Sequence, residues 1–131
     1  MRTILAGLAA ASLATPGFPA AAQANPADVN AQEFYLDARA LMNKGAMAMF
    51  DKRLKPRMAQ MKAAGEAARA DNEAATKRGA PLYCVGDNAR KKGLDAKKAI
   101  ALLGAVPQPQ RSRSTLRQAW LAALVRAYPC G

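Results

Sequence analysis

Residues 114–130 read STLRQAWLAALVRAYPC, and this stretch decides the fold. Its apolar residues return at intervals of three and four, the period of an α-helix with one buried face. Ser114 is a suitable N-cap, and Pro129 cannot continue a helix, so these two residues bound it. The sequence therefore predicts a last helix that ends beside Cys130 and buries Leu116, Trp120, Ala123, Leu124 and Ala127.

The first 24 residues have the pattern of a secretory signal peptide. Arg2 gives a positive start, the run from Ile4 to Ala14 is apolar and uncharged, and Ala22-Gln23-Ala24 is a small-x-small cleavage site. An apolar run of about eleven residues is too short to span a bilayer, which takes about 20. We predict cleavage after Ala24, export to the periplasm, and a mature domain of residues 25–131 with no membrane span.

Export determines how the two cysteines, Cys84 and Cys130, are interpreted. In an oxidising compartment they most simply form one disulfide. That bond would close a loop of about 47 residues and stabilise the fold by roughly 4 kcal/mol on the chain-entropy estimate. The alternative is a reactive thiol, which needs an activating neighbour. Tyr83 and Pro129 offer none.

Helical patterns also fill the chain before Cys84. Asn30 is a good N-cap for a first helix, whose apolar face is formed by Phe34, Ala38, Leu41 and Met42. A short helix is predicted over Ala46 to Leu54. Pro56 then fits the first turn of a long helix that runs to Arg78.

The long helix carries two contrasting stripes. One alternates in charge through Lys62, Glu66, Arg69, Glu73 and Lys77. The other is small and apolar, through Leu54, Met58, Met61, Gly65 and Ala68. Small residues let a partner helix approach closely, and a second copy of the chain is one alternative for that partner.

The chain between the cysteines predicts one further helix. Leu82 to Val85 is expected to be a buried extended connection held by the disulfide, and Asp87 to Gly93 a turn-rich loop. Asp95 caps a helix before a break at Pro107 to Gln110, with a buried face of Ala99, Leu102, Leu103 and Val106. The prediction is a single all-α domain, a small bundle of four to five helices stapled by one disulfide.

Catalysis is not expected. The chain has no histidine, which removes His-based general base catalysis, Ser-His-Asp and Cys-His sites, and His-ligated zinc or haem. A disulfide would leave no free thiol. Glu66 and Glu73 belong to the charged stripe, and Asp71 projects differently from Glu73 on a helix. We predict no enzyme, no cofactor and no metal site.

The net charge of +11 is the strongest compositional signal. Arg90-Lys91-Lys92 lies near Lys97-Lys98, and a second basic group is formed by Arg111, Arg113 and Arg117. Nucleic acid is not predicted, because few aromatic residues are interleaved for base stacking. The alternatives are a solvated face, a surface for an acidic protein, and a surface for an envelope polyanion such as lipopolysaccharide, anionic lipid or wall polymer.

Five methionines of the mature chain form a second group: Met42, Met47, Met49, Met58 and Met61. Their Met-x-Met and Met-x-x-Met spacings resemble those of thioether ligands for Cu(I). Flexible filling of the core explains them more simply. Core filling is therefore the prediction, and a copper carrier the alternative.

The C-terminal half carries a family resemblance. Tyr83-Cys84, the apolar helix around Ile100 to Leu103, Pro107 with Arg111, and the closing run from Ala119 to Cys130 resemble the Tai/Rap group of periplasmic immunity proteins. Members of that group neutralise amidase toxins of type VI secretion. The resemblance covers about residues 83–130. The chain departs from the group in having no cysteine in its first half and no Pro shortly after Cys84.

The resemblance implies a protein that occludes a hydrolase cleft without chemistry of its own. By residue type, the candidate anchors for such an interface are Trp120, Tyr128, Arg111 and Arg113, although Trp120 and Tyr128 are expected in the core. The leading hypothesis is an exported binding protein of the immunity type. The alternative is an envelope accessory protein that binds polyanions through its basic surface.

Overall fold

The computed structural model describes residues 25–131, so the predicted signal peptide and its cleavage after Ala24 lie outside the described residues. The described chain is mainly helical and has no strand. It contains two 3-10 helices, Pro26–Asp28 and Gly45–Phe50, and six α-helices: α1 Ala31–Asn43, α2 Leu54–Lys77, α3 Asp87–Lys92, α4 Ala96–Gly104, α5 Gln108–Ser112 and α6 Leu116–Ala127. The all-α prediction is confirmed.

The core is built on the close approach of α2 and α6. Ala64 and Ala68 on α2 share one buried cluster with Ala119 and Ala123 on α6. Because these side chains end at Cβ, the two helix backbones can approach closely. Of the small apolar stripe predicted on α2, Ala68 is buried within the chain and is not available to a second copy, whereas Met58 is 63% exposed. Larger side chains complete the cluster from α1, α4 and α6: Phe34, Leu103, Leu116, Trp120 and Leu124.

The first and last helices begin side by side. Asn30 caps α1 as predicted, accepting hydrogen bonds from the backbone N–H groups of Gln32 and Glu33. The predicted cap of α6, Ser114, is wrong by one residue. Thr115 is the N-cap, because it forms a reciprocal capping box with Gln118. The two caps are joined as an isolated antiparallel bridge between Asn30 and Thr115.

The disulfide between Cys84 and Cys130 is present, as predicted. The Cys84 N–H also donates to the carbonyl of Tyr128 at 2.8 Å. Asn72 holds the preceding residues, because its Oδ1 accepts from the N–H groups of Leu82 and Tyr83 and its Nδ2 donates to the Tyr83 carbonyl. The segment is extended, but the prediction that it is buried is wrong. Side-chain amide bonds satisfy its backbone, and Leu82 and Cys84 are exposed.

Two predicted breaks contain short helices. Residues 87–92 form α3, whose first residue is acidic and whose last three are basic, an order that complements the helix dipole. Residues 108–112 form α5, where Pro109 occupies the first turn and needs no N–H partner. The helical structure is interrupted instead at residues 105–107, between α4 and α5.

Three further local predictions need correction. The segment before α2 is a 3-10 helix that stops at Phe50, because Asp51 adopts an extended backbone. The charged stripe of α2 supplies only one close pair among the described residues, Lys62–Glu66 at 4.0 Å. Ala127 is exposed, because the chain leaves the helix there to reach the disulfide.

A buried cation joins α1, α4 and α5. Arg111 is 6% exposed, and its guanidinium donates to the carbonyls of Gly104 and Val106 and to Oε1 of Gln32 at 2.8 Å. It also lies 4.2 Å from the centre of the Tyr35 ring. The carbonyls at the C-terminus of α4, which lack helical partners, thereby receive a positively charged donor.

Gly104 lies beside this cation and against the end of the Tyr35 side chain. A Cβ at position 104 would lie 2.7 Å from the Tyr35 hydroxyl oxygen, too close for two unbonded atoms. The absence of a side chain lets the Tyr35 ring pack between the end of α4 and Arg111. The contact therefore fixes α1 against α4.

Replacing Cys84 by Ser is expected to lower the free energy of unfolding by about 4 kcal/mol, since the bond constrains a separation of 46 residues. Chemical denaturation followed by circular dichroism measures the change. The Cys84→Ser/Cys130→Ser double variant should match the single variant. Equal midpoints for wild type and variants would contradict the stabilising role.

Arg111→Ala is expected to lower the free energy of unfolding by about 3 kcal/mol, because it leaves buried carbonyls without a donor. The exposed neighbour Arg113 provides the matched control, and Arg113→Ala should change stability by less than about 0.5 kcal/mol. Thermal unfolding of both variants tests the difference. Equal losses would show that Arg111 contributes only as a surface charge.

Candidate binding face

Most of the methionines are on the surface. Met42, Met47, Met49 and Met58 are 40–77% exposed, and Phe50 beside them is 83% exposed. The prediction that these methionines fill the core is therefore wrong for four of the five, and only Met61 packs against the core. We call the set Met42, Met47, Met49, Phe50 and Met58 the methionine face.

A groove of about 310 Å³ lies beside the 3-10 helix that carries most of this face. α1 contributes Phe34, Ala38 and Leu41 to its apolar lining. The first turns of α2 and one side of α4 contribute further apolar residues. Gly45 and Ala48 of the 3-10 helix line it too. One short helix thus lines the groove with its small residues and exposes its large ones: Met47, Met49 and Phe50.

An ion pair links the residues that flank this 3-10 helix, and further ion pairs link its C-terminal end to α1. Lys44 precedes it and Asp51 follows it, and Lys44 Nζ lies 2.6 Å from Asp51 Oδ2. Arg53 donates to both oxygens of Asp51 and also to Asp37 on α1. Arg57, which lines the groove, donates to Asp37 at 2.6 Å. We call these five residues the clasp.

The clasp lowers the pKa of both carboxyl groups. Hydrogen bonds from Arg53 and then Lys44 hold the pKa of Asp51 far below its ordinary value. The hydrogen bond from Arg57 is the main cause of the lowered pKa of Asp37. A lowered pKa contributes stability that is complete above the unfolded-state value of about 3.9 and is lost as the pH falls through the folded-state value. Both carboxyl groups of the clasp are therefore ionised at neutral pH.

This arrangement holds an apolar segment in one conformation in water. Gly45 permits the tight start, since its φ of 57° disfavours residues with a side chain. The clasp then restrains the segment at both ends, which reduces the ordering cost of binding. Methionine side chains adapt to irregular partner surfaces. The face is thus suited to binding, and no group of three or more metal-ligating His, Cys, Asp or Glu residues occurs within residues 25–131.

The structure separates the anchors suggested by the family resemblance. Trp120 is 4% exposed and belongs to the core, as expected, and Tyr128 is partly buried against that core. Arg111 is buried, so its prediction as an exposed anchor is wrong: the C-terminal carbonyls of α4 draw it inward. Arg113 alone of the four is exposed.

The two basic groups predicted from the sequence differ in how exposed and how paired their side chains are. Arg90, Lys91 and Lys92 on α3 are exposed, as are Lys97 and Lys98 at the start of α4. The group at 111–117 is not a free surface. Arg111 is buried there, and Arg117 is paired with Asp71 at 3.1 Å.

Sequence reasoning missed the methionine face and the clasp. The clasp joins residues of α1, of α2 and of the segment between them, so it forms only where those elements meet in the folded chain. The sequence carried two signals. The first is the segment GAMAMF, with two methionines and a phenylalanine, and the second is the pair of opposite charges, Lys44 and Asp51, that flanks it. Its exposure depends on how α1 and α2 meet.

Asp51→Asn is expected to make amide hydrogen exchange across residues 45–51 several-fold faster, because the neutral amide loses the charge-assisted bonds from Lys44 and Arg53. Exchange mass spectrometry at neutral pH measures this. In the wild type the same acceleration should appear only below about pH 4. Asp71→Asn removes a comparable pair elsewhere and should leave the segment unchanged. Unaltered exchange in Asp51→Asn would refute the clasp.

None of the helices within residues 25–131 has the length and apolar character needed to cross a bilayer. Searches of family models, curated proteins and solved structures found no match to this chain. The resemblance to the Tai/Rap group therefore remains a prediction from the C-terminal motif.

Proposed function

We propose that the protein is an exported, non-catalytic binding protein that docks on a protein partner through the methionine face. Following the C-terminal resemblance, the proposed partner is a cell-wall hydrolase toxin of the amidase type. The protein would act as its immunity factor in the periplasm. Its own contribution is a preformed surface, with no bond made or broken.

The observation that carries this proposal is the exposure of Phe50, at 83%, on a segment fixed at both ends by the clasp. Large apolar side chains are rarely left in water next to an apolar groove unless that surface is covered by a partner. Aromatic residues are also typical central anchors of protein interfaces. A fixed anchor needs little ordering on binding, as in inhibitors that insert a rigid segment into an enzyme cleft.

The shape of the face favours a protein partner. It combines a projecting segment with a groove, so complete burial needs a surface that both receives Phe50 and fills the groove. A standard interface buries about 800 Å² on each partner, which is more than a small ligand covers. Exposed cations lie on the surrounding elements, including Lys52, Lys55 and Lys97. They favour a partner with an acidic rim.

The exposed basic residues of α3 and α4 favour a second candidate function, binding to an envelope polyanion. Arg90, Lys91, Lys92, Lys97 and Lys98 are all exposed. The two functions differ in their dependence on salt. Binding through exposed charges weakens strongly as ionic strength rises, whereas a buried apolar anchor is little affected.

The test uses the mature protein as bait in a periplasmic extract. We expect one hydrolase to remain bound through a wash at about 0.5 M salt, where the Debye length is only a few ångströms. Titration of that hydrolase should show complete inhibition at a one-to-one ratio. Phe50→Ser should weaken binding by at least about tenfold. Leu36→Ser is the matched control, because Leu36 is exposed on α1 but does not line the groove.

Two results would overturn the proposal. Equal inhibition by wild type and Phe50→Ser would exclude the methionine face as the interface. Recovery of only salt-labile polymers would exclude the immunity function and support polyanion binding.

A further inference from the structure

A second cleft, distinct from the methionine face, lies at the other end of α2. It has a volume of about 530 Å³ and is lined by α2, α6, the extended segment at Tyr83 and Val85, and the chain around α3. The disulfide fixes one of its walls, because Cys84 lies between Tyr83 and Val85. Its lining includes two arginines, one glutamate and three aromatic residues.

Two guanidinium groups line the cleft, those of Arg69 on α2 and Arg90 on α3. Neither takes part in the ion pairs found among residues 25–131. The predicted partner of Arg69, Glu73, lines the same cleft but lies beyond ion-pair distance. Arginine forks suit the two oxygens of a carboxylate or phosphate. The cleft therefore offers two cationic donors to an anion.

Aromatic rings line the cleft as well. Tyr83 and Tyr128, which are partly exposed, and Trp120, which is 4% exposed, are among its lining residues. Burial raises the pKa of the Tyr83 hydroxyl above its ordinary value, and the positive charge of Arg69 opposes that rise. The charge of Arg69 is therefore felt at the Tyr83 hydroxyl. A flat apolar group can contact the exposed parts of the two tyrosine rings and of Val85 here.

The outer wall of the cleft is loosely attached. No residue of α3 is buried, and α3 packs closely against none of the other helices in the described chain. It is bounded by Gly86 and by Gly93, whose φ of 68° is readily adopted only without a side chain. The wall that carries Arg90 can therefore adjust to a ligand at low cost in core packing.

We propose that this cleft binds a small organic anion, a carboxylate or phosphate monoester attached to a flat apolar ring. The anionic group is held by Arg69 and Arg90, and the ring lies against the aromatic residues. Glu73 accepts a hydrogen bond from a hydroxyl or amide of the ligand and disfavours further negative charge. This site is independent of the methionine face and of the proposed protein partner.

The test uses phenyl phosphate and benzoate as probes on the mature protein. Trp120 is the single tryptophan of the chain and lines the cleft, so its fluorescence reports occupancy directly. We expect saturable changes with both anions at about 0.15 M salt, where distant exposed charges are screened. Benzyl alcohol, which lacks the charge, and inorganic phosphate, which lacks the ring, should bind at least about tenfold more weakly.

Matched variants separate the cleft from general basic charge. Arg69→Gln and Arg90→Gln should each weaken phenyl phosphate binding by about tenfold or more, measured by fluorescence and by calorimetry. Arg113→Gln removes the same charge from an exposed position outside the cleft and should leave the affinity unchanged. All three residues are exposed, so the variants are expected to fold.

Three outcomes would overturn the site. The first is no saturable response to either probe at millimolar concentration. The second is equal weakening by Arg113→Gln, which would assign binding to net charge. The third is equal affinity for phenyl phosphate and inorganic phosphate, which would remove the role of the rings.

Discussion

The burial of Arg111 is the constraint on which the arrangement of the helices depends. Its guanidinium satisfies carbonyls at the end of α4 and reaches Gln32 on α1, while the Tyr35 ring covers it. A charged group inside a small domain is tolerated only when its donors are used, and here they are used by three elements at once. The turn after α4, the position of α1 and the position of α5, which carries Arg111, are consequently set together.

The rest of the core is narrow because its helices meet through alanine. Ala64 and Ala68 against Ala119 and Ala123 bring α2 and α6 close, but they bury little apolar area per residue. Stability must then come from other sources, and the disulfide and the paired helix caps supply them. The larger apolar side chains of the 45–50 segment lie outside this narrow core, where they are free to bind.

α2 connects the two sites. Its 24 residues span about 36 Å, at about 1.5 Å per residue. Its first turns line the apolar groove with Met58 and Met61, and its later turns line the mixed cleft with Arg69 and Asn72. The proposed protein interface is thus apolar and fixed by ion pairs. The proposed ligand cleft is lined by both charged and apolar residues and is bounded by a short helix that packs loosely.

The sequence by itself determined the helical class, the caps at Asn30 and Asp95, and the pairing of Cys84 with Cys130. These follow from local periodicity, from side chains that bond their own backbone, and from there being only two cysteines. It also gave approximate bounds for the four longer helices. The sequence-based predictions were wrong at the cap Ser114 and at the short helices α3 and α5. These errors are local, because the position of a cap or of a single helical turn depends on which of several possible hydrogen bonds forms.

Only the tertiary structure decided which side chains are available to a partner. Arg111 and Arg113 lie two residues apart on either side of Ser112, yet one is buried and the other exposed, because the end of α4 lies beside Arg111. Methionine is compatible with a core position or a surface position. Met47 and Met49 are on the surface because the clasp, which includes the ion pair between Asp37 and Arg53, fixes where their segment lies. Both cases depend on contacts between distant parts of the chain, which no local pattern records.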